Sequence, residues 1–244
     1  MKRESEETER GWNDFLTEKT PEQVLAWAGE TFGDGLTLAC SFGGVSGMVL
    51  LDMAVKALGA DLSVFTLDTG FLFPETHATR ETATRRYGIT PLVMVPLERA
   101  TPGPRLPNVE ACCAARKVEP NGRALAGKAA WIAGLRRDQS KTREAVVPVS
   151  WDAEFGLYKI APLWVWTEED CWVYVRKNDV PVNPLHAQGY ASIGCTTCTR
   201  AVAPGEDLRA GRWADEEKTE CGLHLKITPG PNNGGKSPLS GGRG

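Results

Sequence analysis

The stretch "GLTLACSFGGVSGMVLLDMAVKALG", residues 35–59, sets the architecture that the sequence predicts. Residues 35–44 are a short apolar run that ends in small residues, which is typical of a buried strand entering a tight loop. Residues 45–59 predict the helix that follows and ends at a glycine. A strand, a small-residue loop and a helix form the first half of a βαβ unit.

The same alternation continues along the chain. Residues 60–70 predict a second strand, residues 73–88 a second helix and residues 89–97 a third strand. Residues 128–135 predict a fourth strand, and residues 143–163 suggest shorter strands near the edge of the sheet. This order predicts an α/β fold, a mostly parallel sheet with helices on both faces.

Two further helices have clear start signals. Thr20 fits an N-cap, with Pro21 at the first helical position and Gln23 as the capping-box partner. Thr167 opens a helix over residues 167–178 in the same way. The Gly-, Pro- and Ser-rich end of the chain lacks apolar residues, so we expect it to be disordered.

Composition excludes several classes of protein. The 244 residues are 41% hydrophobic and 24% charged, which supports a full core. The net charge is −3, so no global field attracts nucleic acid. No apolar run is long enough for a membrane span, and the charged first residues do not predict a secretory signal. We therefore expect a cytoplasmic protein with no nucleic-acid or membrane partner.

Two loops could bind an anion. The loop "SFGGVSG", residues 41–47, lies between a predicted strand and a predicted helix, where backbone N–H groups and the helix dipole favour a phosphate. A plain βα turn fits this loop equally well, and the loop is not a Walker A loop.

The loop "GLRRDQSKTR", residues 134–143, follows a predicted strand and carries four cations. It suits a polyanionic ligand at the carboxyl end of the sheet, or it is a solvated loop.

Seven cysteines need an explanation in a reducing compartment, where structural disulfides are rare. Cys112 and Cys113 are adjacent, and Cys195 and Cys198 form a C-x-x-C. Four thiolates fit zinc or a [4Fe–4S] cluster, and an adjacent pair suits the larger cluster better than a zinc knuckle. A redox-active C-x-x-C would leave the adjacent pair unexplained.

The remaining cysteines divide into two kinds. Cys40 and Cys171 lie among apolar residues and are interpreted as small buried hydrophobes. Cys221 lies in the polar segment "KTECGLH", where it is either incidental or, beside an anionic ligand, a candidate nucleophile. His77 and His186 are assigned no role.

Together these stretches resemble one family. The chain is similar to the iron–sulfur type of assimilatory sulfonucleotide reductase, which reduces adenosine 5′-phosphosulfate (APS). The resemblance runs over residues 36–225 and includes "SFGGVSG", "LDTGFLFPET", "ACCAARKVEP", "GLRRDQSKTR", "HAQGYASIGCTTCTRAV", "AGRW" and "KTECGLH". The loop "SFGGVSG" departs from the family form by lacking an acidic residue.

The resemblance implies a PP-loop ATP-pyrophosphatase-like (Rossmann-like) fold and a set of site residues. It implies that Cys221 is the nucleophile, that Lys117 lies between cluster and substrate, and that His224 belongs to the same catalytic group. The implied [4Fe–4S] ligands are Cys112, Cys113, Cys195 and Cys198. The implied substrate-binding residues are Ser41, Phe42, Gly43, Gly44, Ser46, Thr69, Gly70, Arg136, Arg137, Arg143, Arg209 and Arg212.

The resemblance also implies the domain organisation. The expected divisions are an N-terminal helical segment (1–34), an α/β reductase domain with the iron–sulfur site (35–208), a mobile catalytic C-terminal segment (209–228) and a disordered tail (229–244).

The implied reaction reduces APS to sulfite and AMP through an S-sulfocysteine on Cys221. A separate thioredoxin or glutaredoxin would supply the electrons, and a homo-oligomer is expected. The nearest alternative is reduction of the 3′-phosphorylated nucleotide (PAPS), alone or beside APS. More distant alternatives are an iron–sulfur PP-loop enzyme that thiolates tRNA and a metal-bearing redox sensor.

Overall fold

A six-stranded sheet forms the centre of the structure, a computed structural model that describes residues 2–97, 108–214, 216, 218 and 220–224. The strands are β1 (Leu36–Ala39), β2 (Val64–Leu67), β3 (Leu92–Met94), β4 (Ala130–Ile132), β5 (Val149–Asp152) and β6 (Leu157–Ile160). Their order is β3-β2-β1-β4-β6-β5, and only β5 runs antiparallel to its neighbour. The predicted mostly parallel sheet is confirmed.

Seven α-helices accompany the sheet in the described part of the chain. They are α1 (Lys2–Leu16), α2 (Pro21–Phe32), α3 (Val45–Leu58), α4 (Pro74–Tyr87), α5 (Val109–Cys113), α6 (Glu119–Leu125) and α7 (Glu168–Asn178). The predicted capping boxes are confirmed at Thr20 with Gln23 and at Thr167 with Asp170. A π-helical stretch, Ala114–Val118, joins α5 to α6. Such stretches are rare and are frequent at functional sites.

The sheet buries apolar side chains on both faces because alternate strand residues point to opposite sides. Leu38, Val64 and Ile132 belong to one core, which packs against α2, α3 and α7. Phe65 and Trp131 belong to a second core with residues of α6. Helices on both faces were predicted from the sequence, and the two cores confirm them.

The hairpin of β5 and β6 forms the antiparallel end of the sheet. The predicted shorter strands near the sheet edge are confirmed, because β5 is the edge strand and β6 lies next to it, paired with β4. Asn13 of α1 covers the outer edge, because its side-chain amide donates to the carbonyl of Val149 (2.8 Å) and accepts from the same residue's N–H (2.9 Å). Pairing of this kind satisfies edge groups that would otherwise attract another strand.

The chain order creates one switch point in the sheet. From β1 the chain builds outward through β2 and β3, and it then returns to place β4 on the other side of β1. In open α/β sheets, ligands bind outside the carboxyl ends of the strands at such a point.

Among the described residues no helix is long and apolar enough to cross a membrane. The expected disordered tail, residues 229–244, lies outside the described residues.

Candidate active site

A cavity of about 280 Å³ lies at the switch point. It is lined by Ala39 and Leu67 at the ends of β1 and β2, by Ala133 just after β4, and by the first residues of α3. Its volume is just below the range of about 300–1,000 Å³ that is common for small-molecule sites. The cavity is therefore large enough for part of a nucleotide and lies where the topology predicts a ligand.

The loop between β1 and α3 lines this cavity with backbone groups. Gly44 is the N-cap of α3, and no side chain of the described residues caps the first N–H groups of the helix. These unpaired N–H groups and the helix dipole favour an anion. Phe42 has a left-handed backbone (φ +55°), and its side chain is buried in the core instead of the cavity. His186 supports the loop, with Nε2 3.0 Å from the carbonyl oxygen of Gly43.

Four cysteines from two distant parts of the chain line a second, smaller cavity. Cys112 and Cys113 come from α5, whereas Cys195 is the N-cap of a 3₁₀ turn, Thr196–Cys198, and Cys198 is its last residue. The loop after β2 helps to hold the C-x-x-C, because the hydroxyl of Thr69 lies 3.3 Å from the sulfur of Cys195. The structure thus brings the four predicted metal ligands together.

The two cavities share a wall. Lys117 of the π-helical stretch and Cys195 line both of them. Burial lowers the pKa of the Lys117 ammonium, but the charges on Cys195 and Cys221 raise it, and the net shift is upward. Lys117 is therefore a cation between the four-cysteine cavity and the larger cavity.

A single indole ring lies among four cations beside this wall. Trp213 is buried, and its ring centroid lies 4.5 Å from the guanidinium of Arg212, 5.8 Å from that of Arg209 and 5.8 Å from the ammonium of Lys117. Lys218 lies 5.9 Å away. The backbone of Trp213 is left-handed (φ +51°), a conformation that is costly for a bulky residue and is frequent at functional sites. Within the described residues, Nε1 of Trp213 has no hydrogen-bond partner.

The predicted arginines divide into those that face the cavity and those that do not. Arg209 and Arg212 line it, and Nε of Arg212 has no partner among the described residues. Arg136 also lines it, but Glu168 (2.6 Å) and Asp138 (3.0 Å) hold its guanidinium. Burial and the nearby Arg143 guanidinium lower the pKa of Arg209 to about 10, so it stays charged at neutral pH.

Three residues predicted to bind substrate lie away from the cavity. Phe42, Gly70 and Arg137 are all described and do not line it. Arg137 stacks on the ring of Trp164 (4.2 Å) and donates to the carbonyl of Val146 (2.7 Å). The position of a basic residue after a strand could not distinguish Arg137 from Arg143, which does line the cavity. The side chain of His224 lies outside the described part of the structure.

Cys221 lies at the larger cavity, on a segment that packs onto the site. It is half-buried, and it packs against a small buried cluster of Val109, Cys113 and Trp213. The following turn, Gly222–His224, packs against the π-helical stretch. Three predicted features therefore meet in one place. They are the loop of residues 41–47, called here the anion loop, the cations and the candidate nucleophile.

Alanine at Gly222 should loosen this segment. An added Cβ would lie 2.8 Å from Cγ2 of Val118, which is closer than packed carbon atoms approach. Since overpacking costs about 1–3 kcal/mol, we expect Gly222→Ala to raise the rate of Cys221 alkylation at least about fivefold. Mapping by peptide mass measures that rate.

The double variant Gly222→Ala/Val118→Ala is the matched control for this contact. Removing the valine methyls makes room for the new Cβ, so alkylation should return toward the parent rate. If Gly222→Ala alone left the rate unchanged, close packing at Gly222 would not be what holds the segment.

Comparison with known proteins identifies the family. The sequence profile of the "Phosphoadenosine phosphosulfate reductase domain" matches residues 35–201. The chain belongs to this reductase family. A phosphoadenosine 5′-phosphosulfate reductase of Gloeobacter violaceus is 46% identical over 225 residues, covering 88% of this chain and 91% of the relative. Adenosine 5′-phosphosulfate reductase 2 of Bacillus subtilis is 44% identical, covering 87% of this chain and 95% of the relative.

Solved structures agree with the family. A phosphoadenylyl-sulfate reductase from Candida auris, in complex with phosphate, superposes with a TM-score of 0.71 at 30% identity. The match covers 80% of this chain and 97% of that one. FMN adenylyltransferase of Candida glabrata matches with a TM-score of 0.57 at 17% identity, over 77% of this chain and 65% of that one, and shows the fold alone. The predicted PP-loop ATP-pyrophosphatase-like fold is confirmed.

Two charged residues at the site were assigned no role from the sequence. Glu220 precedes Cys221, and its carboxylate is buried against Arg143 and Arg209. Arg116 precedes Lys117, lines the four-cysteine cavity and donates to the carbonyl of Thr69 (3.0 Å). The only sequence signal was that each lies next to a predicted site residue, Glu220 beside Cys221 and Arg116 beside Lys117. Such a position does not show whether a charged side chain is buried or solvated.

Proposed function

We propose that this chain reduces adenosine 5′-phosphosulfate to sulfite and AMP, with a reduced thioredoxin or glutaredoxin as electron donor. The observation that carries the proposal is one cavity lined by the anion loop, Lys117, Arg209, Arg212 and Cys221. A phosphosulfate has a phosphate and a sulfate side by side, and this cavity offers cations and backbone N–H groups together. The name of the Bacillus subtilis relative supports APS as the nucleotide.

The chemistry needs two transfers at one sulfur atom. The thiolate of Cys221 attacks the sulfur of the sulfate group, an S–S bond forms, the bond from sulfur to the phosphate oxygen breaks, and AMP leaves. The cations Arg209, Arg212 and Lys117 stabilise charge on the oxygens of the leaving phosphate and the sulfate. This step leaves an S-sulfo group on Cys221.

The second transfer takes two electrons from the protein donor. A donor thiolate attacks the Cys221 sulfur, the S–S bond to the sulfo group breaks, and sulfite leaves with the electron pair. The donor's second thiol then resolves the mixed disulfide and restores the Cys221 thiol. Two donor thiols become one disulfide while sulfate sulfur becomes sulfite, so the electrons balance.

The four-cysteine cavity fits a [4Fe–4S] cluster by its donor set. We propose Cys112, Cys113, Cys195 and Cys198 as the ligands, since four thiolates are the usual ligands of such a cluster. Among the described residues, no three His, Cys, Asp or Glu side chains could hold one metal ion. The adjacent pair Cys112 and Cys113 suits a larger cluster better than a single zinc ion, which needs all its ligands at about 2.0–2.3 Å from one point. When bound, the cluster would supply electrostatic and structural support.

The PAPS reaction is the second candidate. It is favoured by the printed names of the Gloeobacter violaceus relative and the Candida auris structure. The mechanism at Cys221 would be the same, and only the recognition of a 3′-phosphate would differ.

The intact mass of anaerobically purified protein tests the proposal. After exposure to APS without added thiol, we expect one SO₃ adduct that maps to the Cys221 peptide and is absent in Cys221→Ser. An adduct formed only with PAPS would overturn the substrate and keep the mechanism. No adduct with either nucleotide, on protein that retains its iron, would refute the reductase reaction.

A further inference from the structure

The carboxylate of Glu220 is buried among cations at the edge of the larger cavity. Only 3% of the residue is exposed. Arg143 donates to both of its oxygens at 2.8 Å, and Arg209 donates at 3.2 Å. The hydroxyl of Thr142 donates at 3.1 Å. Burial raises the pKa of the Glu220 carboxyl, but Arg143 and Arg209 outweigh that effect and hold the pKa below its usual value.

Arg143 is committed to this carboxylate and not free for a ligand. Its Nε and Nη2 go to Glu220, and its Nη1 donates to Gln139. A bidentate arginine–carboxylate pair fixes geometry as well as charge. Arg209 makes a single, longer contact with the same carboxylate, and it also lines the cavity. Of the two guanidiniums, Arg209 therefore contacts Glu220 less closely than Arg143 does.

The position of Glu220 in the chain gives the contact its consequence. Glu220 is the residue before Cys221, so the place where its carboxylate docks sets where the Cys221 sulfur lies. A buried carboxylate without a partner is costly, and its ion pair forms only when the segment is docked. The contact therefore stabilises the arrangement in which Cys221 faces the cavity.

We propose that Glu220 is a positioning residue, a latch that docks the Cys221 segment through Arg143 and Arg209. The inference rests on the proposed function, because it assigns the latch to the first transfer. In that step the sulfur must face the nucleotide, and in the second it must be reached by a protein thiol. Loss of the latch should therefore slow the first transfer and spare the second.

The variant Glu220→Gln removes the charge and keeps the shape. Without any nucleotide, we expect the Cys221 peptide to be alkylated at least about fivefold faster than in the parent. We expect single-turnover formation of the S-sulfo adduct to slow about tenfold, a change of about 1.4 kcal/mol in barrier. Reduction of a preformed adduct by thioredoxin should match or exceed the parent rate. Thermal unfolding and iron content are measured on every variant.

Glu169→Gln is the matched control, since Glu169 pairs with Arg176 in the open, with 72% and 61% of their side chains exposed. Exposed pairs contribute little, so alkylation and both transfers should stay at parent rates. The double variant Arg143→Gln/Glu220→Gln removes both buried charges together and guards against misfolding of the single variant. It should show the same faster alkylation.

The outcomes separate the latch from the proposed reaction. Parent-like alkylation of Cys221 in Glu220→Gln, or in the double variant where the single one does not fold, would overturn the latch. So would an equal slowing of both transfers, which indicates a general structural role. Failure of the parent to form any adduct would refute the proposed reaction. The alkylation rates of Cys221 would still test whether Glu220 docks the segment.

Discussion

Alanine at Gly211 should reduce turnover at least about 100-fold while the sheet stays folded, a loss similar to removing one donor that stabilises a transition state. The Cβ of an alanine would lie 2.2 Å from the carbonyl oxygen of Arg200. That oxygen belongs to the backbone, so neither a rotamer change nor a small shift can relieve the clash. The loop around residue 211 must move.

The displaced loop carries the groups that face the cavity. The N–H of Arg200 donates to the carbonyl of Gly211 (2.9 Å), and Thr199 forms an isolated bridge with Arg212. The N–H of Trp213 donates to the carbonyl of Cys198 (3.0 Å). These contacts align Arg212 and Trp213 with the C-x-x-C, so moving the loop removes a cation from the cavity.

Steady-state turnover with APS and a thioredoxin system measures the effect of Gly211→Ala. Gly11 of α1 is the matched control, because an added Cβ there meets nothing within 4 Å. Gly11→Ala should keep full activity and should be slightly more stable, since alanine is favoured over glycine in helices. Turnover of Gly211→Ala within about threefold of the parent, a difference of less than about 1 kcal/mol, would contradict the role given to this loop.

Local signals made most of the fold predictable. The strand before "SFGGVSG", the helix after it and the capping boxes at Thr20 and Thr167 depend on residues within a few positions of each other. The structure shortens the predicted strands, such as 60–70 to Val64–Leu67, because only the paired residues form the ladder. The position of β6 inside the sheet depends on pairing with β4, which local sequence does not encode.

The candidate site was less predictable where it depends on distant partners. A basic loop after a strand indicates an anion site, but the partner of Arg136 is Glu168, which comes 32 residues later. Nothing near Arg137 indicates that it stacks on Trp164. The residue types suggested that the two cysteine pairs meet on one cluster, and the family resemblance implied the same four ligands, although spacing alone does not bring residue 113 to residue 195. Charge pairs between distant residues are set by the tertiary fold.

Serine at any one of the four cavity cysteines should remove most of the iron. A [4Fe–4S] cluster uses four cysteine ligands, so iron should fall from about four atoms per chain in the parent to below about one in each variant. Turnover should fall with it, because Lys117 and Cys195 line both cavities and the shared wall would lose its support. Iron and sulfide analysis of anaerobically purified protein measures the change.

Two other cysteines distinguish ligand loss from a general effect of serine. Cys171 is fully buried in α7, away from the four-cysteine cavity, so Cys171→Ser should keep its iron even if it is less stable. Cys221→Ser should keep its iron and lose the S-sulfo adduct. Iron retained in Cys113→Ser and Cys198→Ser would refute the proposed ligand set, and zinc in place of iron in the parent would favour the single-ion alternative. The serine variants of Cys113, Cys171, Cys198 and Cys221 therefore test the cluster independently of the reaction. Their readout is metal content, and the adduct on Cys221 is measured separately.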